Sequence, residues 1–276
     1  MPLTLFAQEN NMRLKDQVAL ITGAQRGIGH AIATRFVAEG AKVVLADVTD
    51  ATAEANALCA SGGEVCYIQA DVSLESDVSQ MVRLAEARFG NVDIMVNNAV
   101  VKFAKTVLDT TVEEWDRLMA VNLKGVFLCS KAIIPSMQMR GQGVIINIAS
   151  ELGLVGEANV AAYCASKGGG GLMLTKAMAI DHGRSGIRVN CLCPEPVATQ
   201  LLKDVFSNSP DPAGLRRSFE AAIVLGRIGS PEEVAGAAAF LASDDSTFMS
   251  GANLVIDGAL TENGRRSKSR SRSLTA

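Results

Sequence analysis

Val18-Ala19-Leu20-Ile21-Thr22-Gly23-Ala24-Gln25-Arg26-Gly27-Ile28-Gly29 carries the reading of the fold. Its first five residues make a short apolar run of the kind that forms a strand buried on both faces. The run breaks at Gly23, and residues 28–39 then read as a helix that stops at Gly40. Glycine lets the chain turn sharply and lets backbone approach a pyrophosphate, while the helix start offers free N–H groups and the positive end of its dipole. Gly23, Arg26, Gly27, Ile28 and Gly29 are therefore a candidate dinucleotide cradle. The spacing is Gly-x-x-x-Gly-x-Gly rather than the G-x-G-x-x-G fingerprint, and in isolation such a turn is equally compatible with tight packing.

Moving outward, the next strand covers residues 42–46 and ends at Asp47, eighteen residues past Gly29. A carboxylate there accepts hydrogen bonds from an adenosine ribose and repels a 2′-phosphate. Arg26 pulls the other way, because it can pair with that phosphate, but Val48 stands where a second basic residue would help. NAD(H) is the expected cofactor and NADP(H) the alternative. The alternation continues with a helix over 51–60, a strand over 64–70 ending at Asp71-Val72, a helix over 75–89 and a strand over 92–96 ending in Asn97-Asn98-Ala99-Val100. Strands alternating with helices of this length imply βαβ units and a parallel sheet, hence an α/β fold. Such sheets bind ligands at the carboxyl ends of their strands, where Thr22, Asp47, Asp71 and Asn98 all fall.

Farther along, Tyr163 and Lys167 are four apart, so a helix stacks them on one face. A free phenol titrates near ~10, and a neighbouring ammonium group favours the phenolate and brings that value down. Ser150 follows the apolar run Val144-Ile145-Ile146-Asn147-Ile148-Ala149, where its hydroxyl can face a substrate oxygen. Asn122 lies on the apolar stripe of a long helix that starts at Val112, and a buried amide needs partners. Two roles are open to it: bonding to backbone, or holding a water beside Lys167.

The chain has 276 residues, 48% of them hydrophobic, enough for one large core. No apolar run in the sequence approaches the ~20 residues of a membrane span, and residues 1–12 lack a basic-then-apolar signal pattern. A cytoplasmic protein without a membrane partner is the expectation. Six cysteines without a CxxC, and two isolated histidines, point to free buried thiols rather than a disulfide framework or a metal site. Net charge is -3, yet the tail after Asn263 holds Arg265, Arg266, Lys268, Arg270 and Arg272 without an acid. The remainder carries 21 basic against 29 acidic residues, which argues against nucleic acid as the main partner. The basic tail, residues 263–276, reads as a disordered end or an expression remnant.

Taken together, Thr22-Gly23-x-x-x-Gly27-Ile28-Gly29, Asp71, Asn97-Asn98-Ala99, Asn122, Ser150 and Tyr163-x-x-x-Lys167 resemble the short-chain dehydrogenase/reductase family in its single-domain form. Arg188-Val189-Asn190, Pro194 with Val197 and Thr199, Gly229-x-Pro231-x-Glu233 and Asp257-Gly258 extend the likeness. The resemblance implies a Rossmann-like, doubly wound parallel sheet with helices on both faces. On this reading residues 1–13 are an extension and 14–262 the catalytic domain. It further implies hydride transfer between NAD(H) and a secondary alcohol or ketone, with Tyr163 as general acid/base and Ser150 steadying the substrate oxygen. Lys167 would bind the nicotinamide ribose and lower the Tyr163 pKa, Asn122 would complete a proton relay, and Pro194 to Thr199 would hold the carboxamide. Gly23, Arg26, Gly27, Ile28, Gly29, Asp47, Val48, Asp71, Val72 and Asn98 would hold the rest of the cofactor. A homotetramer is implied as well.

Two departures mark this chain. Val100 replaces a glycine after Asn-Asn-Ala, and Glu195 replaces a glycine after Pro194. Either change strains the backbone if φ is positive there. Both border the pocket, together with Glu151, Leu152, Leu201 and Phe206, and a segment at about 198–225 reads as a lid. The leucines make an apolar pocket the expectation. The alternatives are an NADP(H)-dependent 3-oxoacyl-type reductase, and a weakly active dinucleotide-binding assembly protein.

Overall fold

A computed structural model describes residues 12–263; most of the N-terminal extension and all but the first residue of the basic tail lie outside it. Seven parallel strands form one sheet in the order β3-β2-β1-β4-β5-β6-β7. They are β1 (Val18–Thr22), β2 (Lys42–Asp47), β3 (Val65–Gln69), β4 (Ile94–Asn97), β5 (Gly143–Ile148), β6 (Ile187–Pro194) and β7 (Asn253–Ile256). The chain runs outward from β1 to β3, then returns to place β4 against the other side of β1. That reversal leaves a crevice at the carboxyl ends of β1 and β4.

Side-chain alternation explains why both faces are covered. Along β1, Ala19 and Ile21 point into one apolar layer and Val18 and Leu20 into the other. The first layer receives α1 (Gly27–Ala38) through Ile32, Ala33 and Phe36, α2 (Thr52–Ala60) through Ala55 and Leu58, and a later helix, Pro231–Ala242, through Val234, Ala235 and Ala238. The second receives α3 (Glu75–Phe89), α4 (Val112–Arg140) and α5 (residues 161–182). By length and composition α4 could cross a membrane, which the sequence reading did not anticipate; half of its apolar stretch is buried inside the domain.

The expected lid holds two short helices, α6 (Gln200–Ser207) and α7 (Pro212–Ala222). Phe206 meets Phe219 edge-to-face across them at 5.3 Å, so its ring ties α6 to α7 and does not line the pocket. The final long helix, α8 (Pro231–Ala242), starts in a capping box between Ser230 and Glu233. The six cysteines are free, as read from the sequence, but Cys59 is exposed rather than buried.

Thr22 ties the end of β1 to that of β4. Its Oγ1 accepts from the N–H groups of Asn98 (3.0 Å) and Ala99 (3.1 Å) and donates to the Val96 carbonyl (3.3 Å). Thr22→Val keeps the shape and strands those two donors in a buried place. We expect it to cost about 2 kcal/mol and lower Tm by roughly 4–8 °C, with Thr22→Ser close to wild type. Equal thermal stability of the valine and serine variants would show that the hydroxyl is not the tie.

Candidate active site

The carboxyl ends of β1 to β6 open into a cavity of about 400 Å³ beside that crevice. One wall is the glycine turn. Gly23 has φ +63°, and a Cβ on it would lie 2.7 Å from the Ala99 Cα. A Cβ on Gly29 would lie 2.3 Å from the Gly23 carbonyl oxygen and 2.5 Å from Asn98 Nδ2, so only glycine lets the helix start this close to the strand. Gly29 thus acts through packing and does not itself line the cavity. Asn98 Nδ2 donates to the carbonyls of Thr22 (2.9 Å) and Gly23 (2.8 Å), so this amide braces the turn from the opposite strand. Arg26, at the N-cap of α1, provides no side-chain cap, and the first turn holds no acid. The first-turn N–H groups at the cavity wall are therefore available to an anion.

Asp47 is fixed at the end of β2. Its Oδ2 accepts from the Gln25 N–H (3.0 Å) and its Oδ1 from the Thr49 N–H (2.9 Å), which holds the carboxylate at the rim of the cavity. Arg26 and the exposed Val48 line the same end. Asp71 Oδ1 accepts from Ser73, from both its N–H (2.8 Å) and its hydroxyl (2.7 Å), and shapes the rim that carries Val72. Pro194, Val197 and Thr199 line the opposite side. A glycine turn at a helix start, with a fixed acid at the next strand, fits the pyrophosphate and ribose of a nicotinamide dinucleotide.

At the inner end, Tyr163 and Lys167 sit on α5, both lining the cavity although the residues themselves are buried. Lys167 Nζ donates to the Ile148 carbonyl (2.7 Å) and lies 5.7 Å from the centre of the Tyr163 ring. Burial pulls the Lys167 pKa down to about 8. The phenol corrects the expectation from sequence. Burial first, then the carboxylates of Glu195 and Glu151, push it well above 10, while a hydrogen bond with Ser150 works against them.

Asn122 makes the backbone bonds that the first of its two roles calls for. Its Oδ1 accepts from the Val101 N–H (2.9 Å), and its Nδ2 donates to the Val101 carbonyl (2.9 Å) and to Ser166 Oγ (3.2 Å). The amide thus clamps the segment after β4 to α5, and does not reach Lys167 through these bonds. Both helices are widened here: π-helical turns span Ala120–Lys124 and Lys167–Met173 and pack on one another. Such turns recur at functional sites. A Cβ on Gly170 would lie 2.8 Å from the Asn122 carbonyl oxygen, so the glycine run after Lys167 is what allows the approach.

The sequence reading places other residues less well. Val100, Glu195 and Leu201 line the cavity, whereas Ser150, Glu151, Leu152 and Asn122 lie just behind its wall. Neither Val100 nor Glu195 has a positive φ, so replacing glycine strains neither. The apolar pocket is only part of the finding. Leu202 and Val205 line it, but so do Lys102, whose Nζ lies 4.8 Å from the Tyr163 ring centre, and Arg117. Arg117 lies four residues before Val121, which also lines the cavity, so one face of α4 brings both to it. Lys102 stands two residues after Val100, on a segment already assigned to the pocket. A buried polar chain also went unread: Asn97 Nδ2 donates to Asn147 Oδ1 (2.8 Å) and Asn147 Nδ2 to Thr175 Oγ1 (2.8 Å), joining β4, β5 and α5.

A dinucleotide crevice that shares one cavity with a buried Tyr-Lys pair defines a Rossmann-type oxidoreductase. The chain belongs to the short-chain dehydrogenase/reductase family, NAD(P)-dependent enzymes acting on CH–OH groups. Residues 23–261 match the family model described as enoyl-(acyl carrier protein) reductase. The chain is 41% identical to meso-2,3-butanediol dehydrogenase of Serratia marcescens, over 91% of this chain and 96% of that one. It is also 41% identical to 2-(R)-hydroxypropyl-CoM dehydrogenase of Xanthobacter autotrophicus, over 89% and 98%. Among solved structures, gluconate 5-dehydrogenase of Burkholderia cenocepacia, in complex with NADP and tartrate, superposes with a TM-score of 0.86 at 35% identity. That match covers 92% of this chain and 98% of the other.

Proposed function

We propose that this protein interconverts a secondary alcohol and its ketone, with NAD(H) preferred over NADP(H). The observation that carries the reading is that Tyr163 and Lys167, far from the glycine turn in sequence, line the same cavity as that turn and Asp47. When bound, the nicotinamide supplies or accepts the hydride. The protein's own part is to hold the substrate oxygen near Tyr163, which gives or takes the proton, and to keep water from a largely buried site. The dehydrogenase names of the relatives support a secondary alcohol as substrate class. A panel of secondary alcohols and ketones, followed by the absorbance of the reduced nicotinamide with each cofactor, tests it. Dinucleotide binding without turnover on any member would favour the assembly-protein alternative.

Lys102 refines the substrate. Among the described residues neither it nor Arg117 forms an ion pair, and both line the cavity. Positive charge at the wall suits a substrate with a carboxylate or another anionic group, and the solved relative holds tartrate, an anion. Lys102→Met retains the stem and removes the charge. Its expected effect is a roughly fivefold rise in KM for anionic ketones, about 1 kcal/mol, with neutral ketones little changed. Equal losses on both kinds would remove the charge from the account.

A homotetramer belongs to the same proposal. It is supported by apolar side chains left exposed on α4 and α5 and near β7, among them Phe127, Met173, Ile180 and Phe248. A cytoplasmic location is proposed with it and rests on the free thiols.

A further inference from the structure

Glu151 directly follows Ser150 and has no exposed surface. A carboxylate in such a place is costly unless hydrogen-bonded. Here Ser150 Oγ donates to Glu151 Oε2 at 2.7 Å. The same Oγ accepts from the Leu152 N–H at 3.1 Å, at the start of the short helical turn Glu151–Gly153. A hydroxyl has one proton to donate. In this arrangement that proton goes to Glu151, and any bond that Ser150 donates to a Tyr163 phenolate or to a substrate oxygen must compete with Glu151 for it. A ketone oxygen, which can only accept, gains nothing from a serine oriented this way.

We propose that Glu151 is a positioning residue: its buried carboxylate holds the Ser150 proton, so that Ser150 donates to a substrate oxygen only when Glu151 is itself protonated. A protonated Glu151 turns the pair round. The carboxyl then donates to Ser150 Oγ, and the serine proton is released toward the substrate. No bond is made or broken beyond this exchange of hydrogen-bond direction. The inference rests on the oxidoreductase reading above for its consequence, though not for its geometry. The titratable groups that act on Tyr163 and Lys167 beside the pair include Cys164 on α5, Glu195 after β6, Lys102, Cys191 and Cys193. The Glu151 carboxylate is also one of the charges that push the Tyr163 phenol up. One side chain therefore acts on both residues that address the substrate oxygen.

The test compares wild type, S150A, E151Q and E151Q/S150A by kcat/KM for a ketone the wild type reduces, from about pH 5 to about pH 9. In the wild type the cost of S150A should be about tenfold at the acid end, the worth of one hydrogen bond to a charged oxygen, and should shrink to within about twofold at the alkaline end. The amide introduced by E151Q cannot ionise, so in that background the cost should be about tenfold throughout. A pH-independent cost of S150A in the wild type overturns the proposal, and that arm decides even if E151Q does not fold. A pH-dependent cost that persists in E151Q overturns it as well. A second readout needs neither substrate nor cofactor. With Tyr67→Phe removing the other tyrosine, the phenolate absorbance of Tyr163 should titrate at a lower pH in E151Q than in the Glu151 protein. An unmoved midpoint refutes the proposal. If no ketone is reduced at all, it is the oxidoreductase reading that fails, and the titration still decides the role of Glu151.

Discussion

Tyr163→Phe is expected to reduce kcat about a thousandfold while leaving dinucleotide binding intact. The ring, not the hydroxyl, packs against Leu118, Leu152 and Val160, so phenylalanine keeps the core contacts and the fold. It also keeps a π face for Lys102. Only the oxygen proposed to transfer the proton is removed, and a positioned acid/base contributes ~10²–10⁴-fold. The phenol's displacement gives the sign of the pH dependence. Burial, with Glu195 and Glu151, holds it protonated to well above its ordinary value. Ketone reduction needs the neutral phenol, so titration of Tyr163 itself should cost no rate through neutral pH and should lower it only in the alkaline range. Alcohol oxidation needs the phenolate and should climb as pH rises. Lys167 adds a second feature, because its charge is lost as pH rises through about 8. Steady-state rates in both directions, with NADH binding followed by fluorescence, check each point. Near-normal turnover of the phenylalanine variant would remove Tyr163 from the chemistry.

What was legible in the sequence, and what was not, separates along a physical line. The strand-turn-helix at residues 18–39 could be read because buried parallel strands are uniformly apolar and the glycines punctuate them. Asp47 and Tyr163-Lys167 could be placed because their geometry is local: a strand end in one case, one helix turn in the other. Asn122 was legible as a misplaced amide, but not its partner, since Val101 reaches it only through the tertiary fold. The direction of the Tyr163 shift was misread for a similar reason. Spacing reveals the cation four residues away, whereas desolvation depends on Leu118 from α4 and on Leu152 and Val160 packing with the ring. The Asn97–Asn147–Thr175 chain belongs to the same class of non-local fact.

Asp47→Ser should move cofactor preference toward NADPH by about a hundredfold in the ratio of kcat/KM values. The carboxylate cannot swing away to admit a 2′-phosphate, because the N–H groups of Gln25 and Thr49 each hold one of its oxygens. A phosphate brought beside it would face a fixed negative charge. Two such charges at ~4 Å repel by up to about 4 kcal/mol at the effective dielectric of a protein surface, and a hundredfold change needs only about 2.7 kcal/mol. Serine removes the repulsion and keeps an acceptor for the backbone donors. Arg26 then becomes decisive. It is exposed at the same end of the cavity, so the phosphate gains a partner that a ribose hydroxyl barely uses. The Asp47→Ser, Arg26→Ala double variant should therefore lose most of the NADPH gain while its NADH value changes little beyond that of the single variant. Were wild type already to favour NADPH, or were the serine variant to leave the ratio unmoved, Arg26 would outweigh Asp47 from the start, and the NAD(H) preference proposed here would have to be given up.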